Sequence, residues 1–340
     1  MVLDLATLPK AHLHVHFTGS MRVDTVVDLG EQHGIPVPAS VRTQELPDLT
    51  PDARGWFRFQ RIYDAARAVV RSESDMRRIV AEAAEDDRAE GSAWLELQVD
   101  PTSYAPHVGG ITPALEIVLD AAAQASDDDF GVAVIVAASR TRHPLDARAL
   151  ARLAARYAGD RPGTVVGFGL SNDERRGVTT DFGRAFDIAR RAGLGSMPHG
   201  GELLGPDHVR EVLATLHPDR LGHGVRVTED SDLLARVIDE QIALEVCPAS
   251  NVSLGVYDGP DRVPLRRLFD AGARIALGAD DPLLFGSRLL AQYETARDAA
   301  GFSDPELAEL ARGSVRASRA PDAFKTNVLA GIDDWLASSS

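Results

Sequence analysis

The sequence predicts a single (β/α)8 TIM-type barrel covering residues 1–340, with a helical insertion after the first strand and extra helices at the C-terminal end. Three observations predict it. Eight short β-branched or apolar runs occur along the chain, and each is followed by an Ala/Arg/Glu/Leu-rich stretch of helical period. No Gly-x-Gly-x-x-Gly opens a helix after the first run, which removes the usual reason to prefer the alternative, an open doubly wound sheet.

Taken in order, the predicted strands are Ala11–His16, Trp94–Val99, Val132–Ala137, Val165–Leu170, Leu194–His199, Arg220–Gly224, Ile242–Cys247 and Arg274–Gly278. In the first, Leu13 and Val15 alternate with His12, His14 and His16, and a strand sends alternate side chains to opposite faces, so the three imidazoles share one. Buried imidazoles need partners, and neutral imidazole is a common metal ligand. Between the first and second strands lies a long insertion containing Asp24 to His33, a Pro-rich turn around Ile35-Pro36-Val37-Pro38, and a helix from about Trp56 to Val70. Its aromatics Trp56, Phe57, Phe59 and Tyr63 either cover a pocket or pack the helix on the barrel. After the eighth strand, helical patterns over Leu283–Ala300, Pro305–Ser318 and Pro321–Ala337 complete the outer layer.

Composition narrows the function. With 340 residues, 44% hydrophobic and 26% charged, the chain has ample material for a core. No apolar run approaches the roughly 20 residues of a membrane helix, and Met1-Val2-Leu3-Asp4 lacks the basic start of a secretory signal, so a cytoplasmic location and no membrane partner are expected. A formal charge of −15 argues against nucleic acid as a partner and for a small molecule. Cys247 is the only cysteine, which excludes an internal disulfide and any Cys-x-x-Cys site; histidines and carboxylates must supply a metal centre.

Those residues converge on the carboxyl ends of the strands, where barrel chemistry concentrates. The first strand ends in His14-Val15-His16. The fifth runs into His199-Gly200-Gly201-Glu202, the sixth into Gly222-His223-Gly224, and the eighth into Gly278-Ala279-Asp280-Asp281-Pro282. Each cluster alone has an ordinary reading: a lone His223 can be a hydrogen-bonded histidine, and Asp281-Pro282 a helix start. Four such clusters on one rim point to a site.

With those segments quoted, the chain resembles the adenosine deaminase family of the amidohydrolase superfamily. The matching motifs are Pro9-Lys10-x-x-Leu13-His14-x-His16, His199-x-Gly201-Glu202, Arg220-Leu-Gly-His223-Gly224, Cys247-Pro-x-Ser250-Asn251 and Asp280-Asp281-Pro282. The resemblance implies a barrel that binds one divalent metal, Zn2+ or another transition dication, and replaces the 6-amino group of a purine nucleoside or base with oxygen, releasing ammonia. It further implies His14, His16, His199 and Asp280 as metal ligands, Glu202 as the acid that protonates purine N1, and His223 as the group that orients the attacking water. His16, Thr18, Asn172, Gly201 and Asp281 are implied substrate contacts, with Asp281 at N7. Zinc chemistry is compatible: three neutral imidazoles and a carboxylate suit the ion and leave room for a water.

Lysine is nearly absent, only Lys10 and Lys325 occurring, and Gly167-Phe-Gly-Leu-Ser-Asn172 stands where two-metal amidohydrolases carry a carboxylated lysine. A two-metal site of that type is therefore not expected. Three positions depart from the family pattern. Phe17-Thr18-Gly19 replaces hydrophobic-acidic-Gly, leaving no carboxylate for a ribose 5′-hydroxyl and room for a 5′ substituent. Asn172 replaces a glycine whose amide contacts purine N3, and His12 replaces an acidic residue, with a hydrogen-bonding role expected. The expected substrate is thus an adenosine, possible 5′-modified forms including the carboxylated aminodeoxyfutalosine, with Arg22, Arg58 or Arg61 to meet the tail. Adenine deaminase and a catalytically idle binding protein are the alternatives.

Overall fold

The computed structural model describes residues 2–46 and 49–338. Eight parallel strands pair in sequence order: β1 Lys10–His16, β2 Ser92–Val99, β3 Gly131–Ser139, β4 Val165–Ser171, β5 Gly195–Gly200, β6 Arg220–His223, β7 Ala243–Val246 and β8 Ile275–Leu277. Every predicted strand is present, its ends shifted by no more than two residues. Residues of β3 from Val132 to Ala138 are almost wholly buried, because helices cover one face of the sheet and the packed barrel interior lies against the other. Among the described residues no helix is long and apolar enough to cross a membrane.

The seam between the last strand and the first is the feature that positions the site. Beyond β8, Asp280 forms a parallel bridge with Val15: its N–H donates to the His14 carbonyl at 3.0 Å, and its own carbonyl accepts from the His16 N–H at 2.9 Å. Closing the barrel therefore carries the Asp280 carboxylate to the two histidines. Asp280 adopts a left-handed conformation there (φ 60°), as do His223 (φ 63°) and Asn172 (φ 78°). Left-handed backbone is uncommon outside glycine, and such residues concentrate where surrounding structure and function impose them.

The insertion after β1 contains α1 Val23–His33, α2 Ala39–Thr43, α3 Ala53–Arg67 and α4 Glu73–Ala89. Helix α3 starts three residues earlier than predicted because Asp52 caps it, accepting from the Arg54 and Gly55 amides at 2.9 Å each. It also ends earlier, and Val69 and Val70 are buried beyond its last turn. The predicted helix 283–300 is two, Pro282–Phe285 and Leu289–Asp298, separated where Gly286 turns left-handed (φ 61°) and donates its N–H to the Pro282 carbonyl. Helices Asp304–Ala317 and Asp322–Ala337 follow as expected.

Candidate active site

Four imidazoles meet inside the mouth of the barrel. Ring centroids lie 4.8 Å apart for His14 and His199, 4.9 Å for His14 and His223, and 5.3 Å for His14 and His16. Such crowding needs a small neighbour, and Gly222 supplies it: a Cβ there would stand 2.7 Å from His199 Cδ2 and 2.9 Å from His14 Cε1. Asp280 Oδ1 is 3.1 Å from His16 Nε2 and 3.6 Å from His14 Nε2. Asp280 Oδ2 accepts from Ser250 Oγ at 2.6 Å, which assigns a task to one residue of the Cys247-Pro-x-Ser-Asn motif; Asn251 Nδ2 lies 3.4 Å from His223 Nδ1.

The orientation of His14 is set from behind. Its Nδ1 is 2.6 Å from Glu245 Oε2 on β7, and with that N–H donated, Nε2 presents a lone pair to the centre. Glu245 is bound at 2.5 Å by Arg220 Nε, and Arg220 Nη2 lies 2.5 Å from Glu96 on β2. All three charges are buried. This chain of ions was not foreseen, although Glu96 and Glu245 each interrupt an apolar strand, a signal of inward-facing charge needing a partner. His12 stands apart from the cluster: Nδ1 donates to Asp87 at 3.0 Å, while Nε2 accepts the Ala279 amide at 3.1 Å and so steadies the residue before Asp280. That is the hydrogen-bonding role expected of it.

A cation fits this group on the evidence of its lone pairs. The buried atoms His14 Nε2, His199 Nε2, His223 Nε2 and Glu202 Oε2 have no hydrogen-bond partner, an arrangement that is costly unless something else satisfies them. Burial, reinforced by the crowding of His14 and the other imidazoles, pushes His199 well below the usual histidine range, and burial takes His223 down to about 3, so both offer a lone pair. Burial acts downward on His14 too, but the Asp280 carboxylate 3.6 Å away and the hydrogen bond to Glu245 outweigh it and raise it to about 10, so the spot favours positive charge. Ligand atoms of His14, His16 and Asp280 lie within 4.8 Å of one another, as do those of His14, His199 and His223, and those of Glu202, His223 and Asp280.

Glu202 is fully buried beside the cluster, its Oε2 3.7 Å from His223 Nε2. Burial, then the charges of Glu174 and Asp280, hold its carboxyl well above the usual range. Asp281 is likewise raised by burial and by Asp280, whereas hydrogen bonds from His14 and His16 overcome burial and keep Asp280 ionised. The adjacent aspartates are thus pushed in opposite directions, Asp280 toward the anion and Asp281 toward the acid. The Asp281 carboxyl lies so close to Gly19 that any Cβ at that position would collide with it.

These groups open into one cleft of about 330 Å³, which His16, Thr18, Asn172, Glu202, His223 and Asp281 all line. Gly201 is not among the lining residues; its positive φ of 79° begins the bend that presents Glu202. Thr18 Oγ1 is 2.6 Å from Tyr104 Oη, and Asn172 Nδ2 donates to Gln60 of α3 at 3.2 Å. Trp56, Phe59 and Tyr63 form a wall, whereas Phe57 points away and is 63% exposed. The arginines at the cleft are Arg67 and Arg142, and this corrects the expectation for Arg22, Arg58 and Arg61. Arg22 is held by Asp86 and Glu85 of α4, and Arg58 and Arg61 face solvent.

Comparison with known proteins fits the geometry. Residues 9–335 match the family model described as adenosine deaminase. The chain belongs to the adenosine deaminase family. A Streptomyces coelicolor relative, provisionally named an adenosine/adenine deaminase, is 61% identical over 98% of both chains. The crystal structure of adenine deaminase from Arthrobacter aurescens superimposes with a TM-score of 0.87 at 29% identity, covering 97% of this chain and 99% of that one. An amidohydrolase from Burkholderia ambifaria, solved with bound Zn, shares the fold at 23% identity (TM-score 0.85, covering 98% and 93%). As a member of the adenosine deaminase family, the protein is a hydrolase acting on C–N bonds.

Proposed function

We propose that this family member catalyses hydrolytic deamination of a 6-aminopurine nucleoside, with one Zn2+ held by His14, His16, His199 and Asp280. The observation that carries the reading is the set of unpartnered imidazole nitrogens beside the buried, unpartnered Oε2 of Glu202. Zinc bound there supplies Lewis acidity that makes water nucleophilic near neutral pH. Glu202, kept protonated by its surroundings, donates to purine N1 as C6 becomes tetrahedral. His223, 3.7 Å from Glu202, accepts a proton from the attacking oxygen and returns it to the 6-amino group; the C6–N bond then breaks with loss of ammonia, and the C6 hydroxyl proton passes to the Glu202 carboxylate, restoring its acid form. Asp281 in its acid form donates to N7, which has only a lone pair to offer. Asn172 and Thr18 line the substrate cleft beyond these groups.

A nucleoside is favoured over the free base by the further polar residues that line the cleft, Asp64, Arg67, Asp100, Ser103, Thr141 and Arg142, which suit a sugar and its 5′ group. With the Thr18 hydroxyl engaged by Tyr104, position 18 offers a plain 5′-hydroxyl no carboxylate, and a 5′-carboxylated adenosine such as aminodeoxyfutalosine meets Arg142, or Arg67, which Asp64 pairs at 2.5 Å. The free base remains the second reading, because the Arthrobacter neighbour is an adenine deaminase. Turnover of adenine, adenosine, 5′-deoxyadenosine and aminodeoxyfutalosine separates them. The 5′-carboxylated compound is expected to exceed adenosine in kcat/KM by about tenfold, the worth of one charge-assisted hydrogen bond of about 1.5 kcal/mol. Adenosine preferred over every 5′-altered compound removes the 5′ assignment, and adenine preferred over all removes the nucleoside.

A further inference from the structure

Glu174, three residues into the loop after β4, is buried and does not itself line the cleft; apart from His208, whose Nδ1 lies 3.9 Å from its Oε2, its contacts run to the segment that carries Glu202. Its Oε1 accepts the Glu202 amide at 3.1 Å, and its Oε2 accepts the Leu203 and Leu204 amides at 2.8 and 2.7 Å. Three consecutive N–H groups therefore converge on one carboxylate. They belong to a bend that makes no helix or strand, so no regular backbone partners fix its height. The other end of the same segment is held by Arg140, buried at the end of β3, whose Nη2 donates to the His199 carbonyl at 2.9 Å and Nη1 to Thr179 Oγ1 at 3.1 Å. Arg226 Nη1 adds a bond of 2.6 Å to the Leu203 carbonyl. The stretch from His199 to Leu204 is thus gripped by Glu174, Arg140 and Arg226 from three parts of the barrel rim.

We propose that Glu174 is a positioning residue for the reaction, fixing the backbone of residues 202–204 so that the Glu202 carboxyl stands at the height of the purine ring. The inference rests on Glu202 being the proton donor, as proposed above. An amide at position 174 can accept through one oxygen only, so it must turn its NH2 toward at least one of the three donors and push the bend outward. An error of about 1 Å in a reacting group costs about 10²-fold in rate. Removing the carboxylate leaves the metal-binding side chains in place.

The test compares Glu174→Gln, Glu174→Asp, Glu202→Asp and the double variant Glu174→Gln/Glu202→Asp as zinc-loaded full-length protein, reading kcat, KM, metal content and melting temperature. Expected for Glu174→Gln is a kcat lower by about 10²-fold, KM within about threefold of the parent, since the cleft walls are untouched, and an unchanged metal content. Glu174→Asp keeps the charge but withdraws it by one methylene, and is expected to fall between the two; it serves in place of the Gln variant if that one fails to fold. In the double variant the two losses are expected not to add, because both act through one carboxyl. A lowered melting temperature with kcat unchanged overturns the proposal, as does loss of kcat in proportion to metal, or full additivity. Near-normal turnover by Glu202→Asp and by a Glu202→Gln control alike instead removes Glu202 as donor, a separate failure of the reading beneath it.

Discussion

Glu202→Gln is expected to lower kcat by about 10²–10⁴-fold, the usual contribution of a placed general acid, while the protein still takes up its metal. Glutamine matches glutamate in size but has no acidic proton to give N1, and it leaves His14, His16, His199 and Asp280 untouched. The pH profile carries a second sign of the same role. Burial and the negative charges of Glu174 and Asp280 raise the Glu202 carboxyl, so its acid form persists above the ordinary carboxylate range, and kcat/KM declines as pH rises through its titration. In Glu202→Gln, the residual rate is expected to lack that alkaline decline. Steady-state kinetics over pH with metal analysis on the same samples checks both; a near-normal rate in the variant means that the proton comes from elsewhere.

Arg220→Met is expected to have the largest effect on stability, about 3–5 kcal/mol, measurable by urea unfolding. The guanidinium lies between Glu96 and Glu245, all three buried, and removing it leaves two carboxylates without their shared cation. The loss reaches the site, because Glu245 must stay ionised to receive the His14 Nδ1–H. Burial alone would raise Glu245, but Arg220 and His14 outweigh it and depress its pKa. A depressed carboxyl stabilises the fold above its unfolded value near 4.5, and that contribution is lost as pH falls through the lower, folded value. The variant is expected to lose this contribution and bind metal more weakly. Parental stability would show that the ion chain does not hold the barrel together.

Much of this molecule was legible in its sequence, and the reasons differ by element. The strands stood out because each β-branched run is bounded by a helix of contrasting period, and the four clusters His14–His16, His199–Glu202, His223 and Asp280–Asp281 lie at strand ends that the fold must bring to one rim. Asn172 matches the glycine it replaces in one respect: its φ of 78° is the backbone conformation a glycine takes readily, and asparagine tolerates it better than most residues do. What escaped were partnerships between distant parts of the chain. Arg220 and Glu96 are separated by 124 positions, and Glu174 reaches amides about 28 positions away, so neither pairing leaves a local pattern. Arg22 looked available for an anionic substrate until the fold placed Asp86 against it. The same ambiguity hid Arg67, which sits on α3 one face away from the exposed Arg58 and Arg61.

The central claim is that barrel closure gathers His14, His16, His199 and Asp280 around one dication beside Glu202. Anomalous diffraction at the zinc edge from crystals of the zinc-loaded protein tests it most directly. The expected result is a single strong peak per chain, coordinated by those four side chains, with His223 Nε2 and the Glu202 carboxyl nearby but unbound. A peak coordinated by His223 in place of His16 or Asp280, or zinc bound only elsewhere, would contradict the account.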